Sequence, residues 1–426
     1  MDVAYRGATV HDGTGAPARP GTTILVSGER IRLIAPDHEV PADALADAVS
    51  VDLAGRHVIP GLIDAHQHIA TPPNRPLAEA ALRRDLYGGI TATRDMADDL
   101  RQVGDITRAA LVGELEAPDI HYAALMAGPS FFDDPRTAEV SQGATPGKTP
   151  WMQAITDETD LPLAVAMARG TFATAIKVYA DLPGHTVAAI TAEARRQNIP
   201  VWAHAAVFPA SPAEVIDAGV ASVSHAHLLS YQSAAPLTTY KDKPKLDYAR
   251  YTDGDDETMA ALFARMRENG TVLDATASLW AHIGQELGED ADAEIRERAR
   301  ANDAISAALT AQAWRAGVVL CAGTDRDPAL EDPWPALIDE LVYFVERCGL
   351  TPAQALEASS RNGAVAIGAE ADMGTLEPGK LANFVALTED PTADLAALRT
   401  VTDVVKRGRR YERAGYVHPA QEASHA

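Results

Sequence analysis

Short apolar runs broken by turn signals open and close this chain, and an alternation of apolar runs with longer helical patterns fills the middle. Over residues 1–59 the runs are Val3-Ala4-Tyr5, Thr22 to Val26, Arg30 to Ile34 and Val49 to Leu53, separated by Asp12-Gly13 and Ser27-Gly28-Glu29. That pattern predicts a small antiparallel sheet. After Asp372 it returns in Gly374-Thr375-Leu376, Asn383 to Leu387 and Val401 to Lys406, with Pro378-Gly379 as a turn. The two ends are expected to pair as one composite β-sandwich domain, 1–59 plus 371–426.

The middle, 60–370, contains eight strand candidates: His57 to Ala65, Gly89 to Arg94, Ile120 to Leu125, Ala173 to Val178, Pro200 to Ala205, Ala221 to His225, Gly270 to Ala275 and Val318 to Gly323. Helical stretches such as Thr186 to Gln197, Ala213 to Ala218, Glu257 to Glu268 and Ala293 to Arg315 fill the gaps. Parallel strands joined by crossover helices follow from this rhythm, and eight such units point to an α/β fold with a closed (β/α)8 TIM barrel. A doubly wound open sheet is the competing architecture, because periodicity alone does not prove closure. Two segments exceed ordinary loop lengths, Gly128 to Trp151 and Leu229 to Asp256. Both follow strand candidates at the end where barrel enzymes carry their substrate loops. The tail from Gly415 to Ala426 is polar, without pattern, and expected to fray.

Length supports this division, since 426 residues exceed what one core usually serves. No run approaches the roughly 18 apolar residues of a membrane helix, and Met1 to Thr9 lacks a signal-peptide pattern. A soluble, cytoplasmic protein is expected. The formal charge of −23 argues against nucleic-acid or membrane partners and leaves a small-molecule substrate. Cys321 and Cys348 are the only cysteines, too few for a thiolate metal site, so histidines must do any metal work.

Candidate chemistry sits at the strand ends. In Ile63-Asp64-Ala65-His66-Gln67-His68 an apolar strand ends in two histidines two apart, which therefore point to one side and can reach one ion. Lys177, within Ala175-Ile176-Lys177-Val178-Tyr179, places a charge in an apolar strand, where burial without a partner is costly. Either it forms a buried ion pair, or its amine is carbamylated by CO2 and bridges two metals. His204 and His225 end two further strands, although His227 shares the direction of His225. Asp325, in Cys321-Ala322-Gly323-Thr324-Asp325, supplies a carboxylate, or else caps a helix. Nitrogen and oxygen donors without thiolate suit Zn2+ or a neighbouring divalent ion in an open site. Water bound there would be acidified, and Asp325 would take its proton during attack on a carbonyl.

Val58-Ile59-Pro60-Gly61-Leu62-Ile63-Asp64-Ala65-His66-Gln67-His68, Gly89-Ile90-Thr91-Ala92-Thr93-Arg94-Asp95, Ile176-Lys177, Gly323-Thr324-Asp325 and the closing Gly374 to Phe384 stretch together resemble the amidohydrolase superfamily, nearer its imidazolonepropionase-like and prolidase-like branch. The resemblance covers nearly the whole chain. It implies that His66, His68 and Asp325 hold a first metal, that His204 and His225 hold a second, and that a carboxylated Lys177 bridges the two, with Zn2+ the expected ion. In the family the second-metal histidine stands six residues after a helix-ending glycine, and the spacing of Gly219 to His225 matches, favouring His225 over His227.

Departures bear on the reaction. Ala205-Ala206-Val207-Phe208 lacks the acidic or amide residue that mononuclear deaminases and imidazolonepropionase carry beyond the His204 equivalent. Ala206 replaces a tyrosine of prolidase-like members, and Met126-Ala127-Gly128-Pro129-Ser130 replaces their Gly-Gly-His segment. The expected activity is hydrolysis of an amide, peptide-like, lactam or ester bond by metal-activated hydroxide. A mononuclear heterocycle deaminase with a salt-bridged Lys177, or a non-catalytic homologue, are the alternatives. His227, Tyr231, His121, Trp280 and Arg326 are candidates for the pocket wall, and homo-oligomerisation is an expectation at the level of the family.

Overall fold

The computed structural model describes residues 2–419 apart from 72, 235, 253 and 289, so most of the tail expected to fray lies outside the described residues. Eight strands, Leu62–Gln67, Ile90–Asp95, Asp119–Ala127, Ala175–Val178, Val201–His204, Ser222–Ser224, Val272–Asp274 and Leu320–Cys321, pair in that order and all in parallel. The ring comes round to closure where Ala65 N–H donates to Ala322 O at 2.9 Å. The expected barrel, not an open sheet, is the architecture.

Local chemistry explains why the connecting helices begin and end where they do. Pro212–Asp217 starts in a capping box of Ser211 and Glu214, and Glu257–Asn269 starts on the Asp256 carboxylate, which accepts from Met259 N–H. The latter helix ends at Gly270 with φ +68°, a backbone conformation that glycine adopts without strain. The 23-residue helix Ala293–Arg315 matches its predicted span.

The run His57 to Ala65 is two strands rather than one. His57–Pro60 pairs with Asp2–Val10 and Phe384–Leu387, and only from Leu62 does the chain enter the barrel. The change of sheet occurs at Gly61, where an added Cβ would lie 2.2 Å from the Thr91 hydroxyl. An unbroken apolar run hides such a break, because both halves are buried.

Both ends of the chain build one continuous, mostly antiparallel sheet of eight strands over a core that includes Tyr5, Ile24, Val26, Val58, Phe384 and Val405. Its edge strand Arg30–Pro36 is tied back to the segment that leads into Phe384–Leu387, with Ile31 N–H donating to Lys380 O and Ala382 N–H to Glu29 O. Gly374-Thr375-Leu376 is not a strand. Leu376 N–H donates to Asp12 O, and the Thr375 hydroxyl accepts from Lys380 Nζ, while the charged edge strand Arg409–Glu412 completes the sheet. Both free cysteines are buried, and no described helix is long and apolar enough to cross a membrane.

Candidate metal centre

The C-terminal ends of the barrel strands surround a cleft of about 1800 Å³. Both long segments line it, the first through Phe131, Arg136 and Val140, the second through Tyr231, Tyr240 and Lys243. His66, His68, Lys177, His204, His225 and Asp325 all face this space, as do His227, Trp280 and Arg326.

His66 leaves the first barrel strand with Nδ1 2.6 Å from Asp274 Oδ2 and Nε2 3.2 Å from Asp325 Oδ1. His68 repeats the arrangement, with Nδ1 3.0 Å from Asp98 Oδ1 and Nε2 3.4 Å from the same Asp325 oxygen. A carboxylate behind each ring fixes its tautomer and aims Nε2 at the shared point, as is usual for metal-binding imidazoles. Asp98 is itself fixed by Ala70 N–H and the Thr71 hydroxyl, both at 2.6 Å.

His225 Nδ1 lies 2.9 Å from Thr276 Oγ1 and 3.7 Å from Asp325 Oδ2. Donor atoms of His66, His225 and Asp325 fall within 4.8 Å of one another. His225, Thr276 and Asp325 all have positive φ, +74°, +41° and +51°. Such backbone strain costs on the order of 1–3 kcal/mol per residue and persists only where the surroundings impose it, typically at functional sites. His204 packs 3.9 Å from the Tyr179 ring centroid and 4.8 Å from that of His225, and its buried Nδ1 has no hydrogen-bond partner among the described residues.

Lys177 is buried at the end of its strand. Among the described residues its amine has a 3.4 Å contact to Ser224 Oγ and no carboxylate within ion-pair distance. The ion pair considered from the sequence is therefore absent from this arrangement. Burial pushes the Lys177 pKa down to about 7, with Asp274 and Asp325 opposing and Arg94 assisting. Burial also drives His204 and His225 well below the usual imidazole range, which keeps their lone pairs free. Against its own burial, Asp325 is held well below the carboxylate range by His66 and His68.

Three residues behind the cleft were not singled out from the sequence as functional. Asp274 ends the seventh barrel strand, fully buried, accepting from Arg94 at 3.0 Å and Ser224 Oγ at 2.7 Å as well as facing His66. Arg94, also fully buried, stands over Trp202 and donates to Ser222 Oγ and Ala366 O. Asp98 is the third. Each was visible as a charged residue at or just past a strand end, but nothing local marked its partner. Gly323 shows how tightly these elements meet, since a Cβ there would lie 2.5 Å from Asp274 Oδ1 and 2.6 Å from His66 Cβ.

His227 turns aside, with both ring nitrogens 3.2 Å from the Trp280 indole N–H, and burial, then the Lys243 charge, push its pKa down to about 3. Tyr231 lies against Phe208 in the cleft wall. His121 lies elsewhere: it is the third residue of its strand, opposite Arg94, and is not among the described residues lining the cleft.

The donor set fits a divalent ion. Among the described residues, the imidazoles of His66, His68, His204 and His225, with His204 Nδ1 lacking a partner, converge with the Asp325 carboxylate and the Lys177 amine, which is in no ion pair, and no thiol lines the cleft.

The sequence profile of the Amidohydrolase family matches residues 57–411. Imidazolonepropionase of Streptomyces avermitilis is 25% identical over 411 residues, covering 91% of this chain and 86% of that protein. Ochratoxinase of Aspergillus niger is 29% identical over 179 residues, which span 40% of this chain and 34% of the ochratoxinase. The crystal structure of A. niger ochratoxinase superposes with a TM-score of 0.77 at 22% identity, covering 98% of this chain and 97% of that one. A Xaa-Pro dipeptidase crystallised with methionine in its active site superposes with a TM-score of 0.75 at 21% identity, over 97% of this chain and all of the other.

Proposed function

The chain belongs to the amidohydrolase family, and from that membership we propose that it is a metal-dependent hydrolase of amide, peptide-like, lactam or ester bonds with a binuclear site. The observation that carries this reading is the pair of carboxylate-backed histidines, His66 and His68, aimed at one oxygen of Asp325 beside a buried, unpaired Lys177.

His66, His68 and Asp325 would hold one ion, His204 and His225 a second, and Lys177 would bridge them as a carbamate. The amine of Lys177 suits that modification, because carbamylation joins a neutral amine to CO2 with loss of one proton, and a buried, unpaired lysine is readily neutral. Bound divalent ions would polarise the scissile carbonyl and acidify water beside it.

Asp325 Oδ1 or Oδ2 then accepts the proton of attacking water and returns it to the leaving atom. Asp274 and Asp98 hold the His66 and His68 rings in place, and Arg94 keeps Asp274 charged. Tyr231, Trp280 and His227 would shape the pocket that orients substrate. Lys243 stands in the cleft with Nζ 3.7 Å from the Tyr240 ring centroid and, among the described residues, in no ion pair, which favours a substrate carrying an anionic group.

Imidazolonepropionase and Xaa-Pro dipeptidase, the names of its relatives, support C–N bonds as the first class to try. The test is a panel of N-acyl amino acids, dipeptides, lactams and aryl esters with metal-loaded and chelator-treated protein. Hydrolysis of a panel member that is lost on chelation and restored by Zn2+ is expected. Hydrolysis indifferent to chelation would contradict the reading.

A further inference from the structure

A second group of two histidines and an aspartate lies in the sheet built from the two ends, outside the cleft lining. His11 follows the first strand, His57 opens the strand that leads into the barrel, and Asp390 sits in the loop after Phe384–Leu387. His11 Nε2 is 3.1 Å from His57 Nδ1, while Asp390 Oδ1 is 3.6 Å from the first and 3.9 Å from the second.

As hydrogen bonds these contacts account for little. One imidazole can donate to the other, but the carboxylate lies beyond hydrogen-bond reach of both rings. As ligands to a cation they agree closely. The point equidistant from the three atoms lies about 2.1 Å from each, which is the length of zinc bonds to imidazole nitrogen and carboxylate oxygen. Asp390 Oδ1 also accepts from Thr392 N–H at 2.9 Å and Thr392 Oγ1 at 2.6 Å, which fixes the carboxylate's direction without a partner cation. Burial lowers the His11 pKa, with Asp390 opposing, so its lone pair is available near neutral pH.

We propose that His11, His57 and Asp390 form a zinc site distinct from the cleft, with solvent as fourth ligand. All three residues are part-exposed and none lines the cleft, so the site's work is to tie three segments of the sheet together. An ion that binds only this folded arrangement stabilises it by mass action.

The test uses full-length protein stripped of metal and equilibrated with Zn2+. Wild type is expected to hold one more ion per chain than H11A/H57A, and H66A/H68A, damaged at the cleft, is expected to keep the ion that H11A/H57A loses. Zinc should raise the thermal midpoint of H66A/H68A and not that of a protein carrying all four substitutions. D390N, a milder change in an exposed loop, guards against misfolding of the double variant and should weaken zinc binding at this site about tenfold or more. Equal zinc content in wild type, H11A/H57A and D390N would overturn the proposal.

Discussion

The two His-His-Asp clusters in this chain are nearly the same in composition and differ in their surroundings. In the cleft, His66, His225 and Asp325 have side chains 2%, 7% and 18% exposed, with His66 Nδ1 held by Asp274 and His225 Nδ1 in contact with Thr276. On the sheet, His11, His57 and Asp390 are 14%, 24% and 37% exposed, and only the aspartate is braced, through Thr392. The cleft cluster also lines a large cavity, and His11, His57 and Asp390 are not among the described residues lining it. Ligand type is therefore a poor guide to role by itself. Bracing, burial and an adjacent cavity are what prepare a set of donors for chemistry, and a set without them is suited at most to a structural ion.

That contrast can be broken by removing each support in turn. Asp325→Asn keeps an oxygen donor for the metal but loses the proton acceptor, so kcat of metal-saturated protein should fall by about 10²–10⁴-fold, as expected for loss of a general base. Full activity in that variant would dissolve the distinction between the clusters. Asp274→Ala takes the anion from a fully buried Arg94 and from His66, and should cost about 3–5 kcal/mol in thermal or denaturant unfolding, the usual penalty for stranding a buried charge. A stability change below about 1 kcal/mol would mean that Arg94 is satisfied by its other partners.

Asp98→Asn keeps the shape of the carboxyl and removes its charge behind His68. Metal affinity should fall about 10–100-fold, read by competition with a chelator. The sheet cluster, having no carboxylate behind its imidazoles, offers no counterpart to this variant. The smallest effect is expected at Lys243→Ala, which should raise KM roughly fivefold, about 1 kcal/mol, for an anionic substrate and leave kcat nearly unchanged. Equal KM values for anionic and neutral substrates in wild type would remove Lys243 from the account.

Much of the architecture was legible because it repeats. Eight apolar runs separated by helical patterns predicted the barrel strands to within a few residues; strand parity paired His66 with His68 but left His225 and His227 undecided. The misreadings have local causes. His57 to Ala65 reads as one strand because both halves are buried, and the turn at Gly61 depends on the approach of Thr91. Gly374-Thr375-Leu376 has strand-like composition but no neighbouring strand to pair with, and Arg409–Glu412 is too charged to stand out.

In the cleft, the residues that line the cavity at the strand ends could be picked out by position, and their supports could not. His66 and His68 are marked by spacing within one strand, whereas Asp274 lies 208 residues from His66 and Arg94 lies 180 residues from Asp274. No periodicity links such pairs. His121 illustrates the converse, since a histidine on a barrel strand looks functional until its position near the strand's start places it away from the cleft. The sheet cluster was equally hidden, because His11, His57 and Asp390 come from both ends of the chain and none belongs to a motif.

A two-metal site bridged by Lys177 sets how many ions the protein holds and makes that number depend on one side chain. Protein carrying H11A/H57A, purified without chelators so that the sheet cluster is silent, should contain about two ions per chain, and adding Lys177→Ala should lower that number sharply. One ion or fewer per chain, unchanged by Lys177→Ala, would contradict the binuclear account.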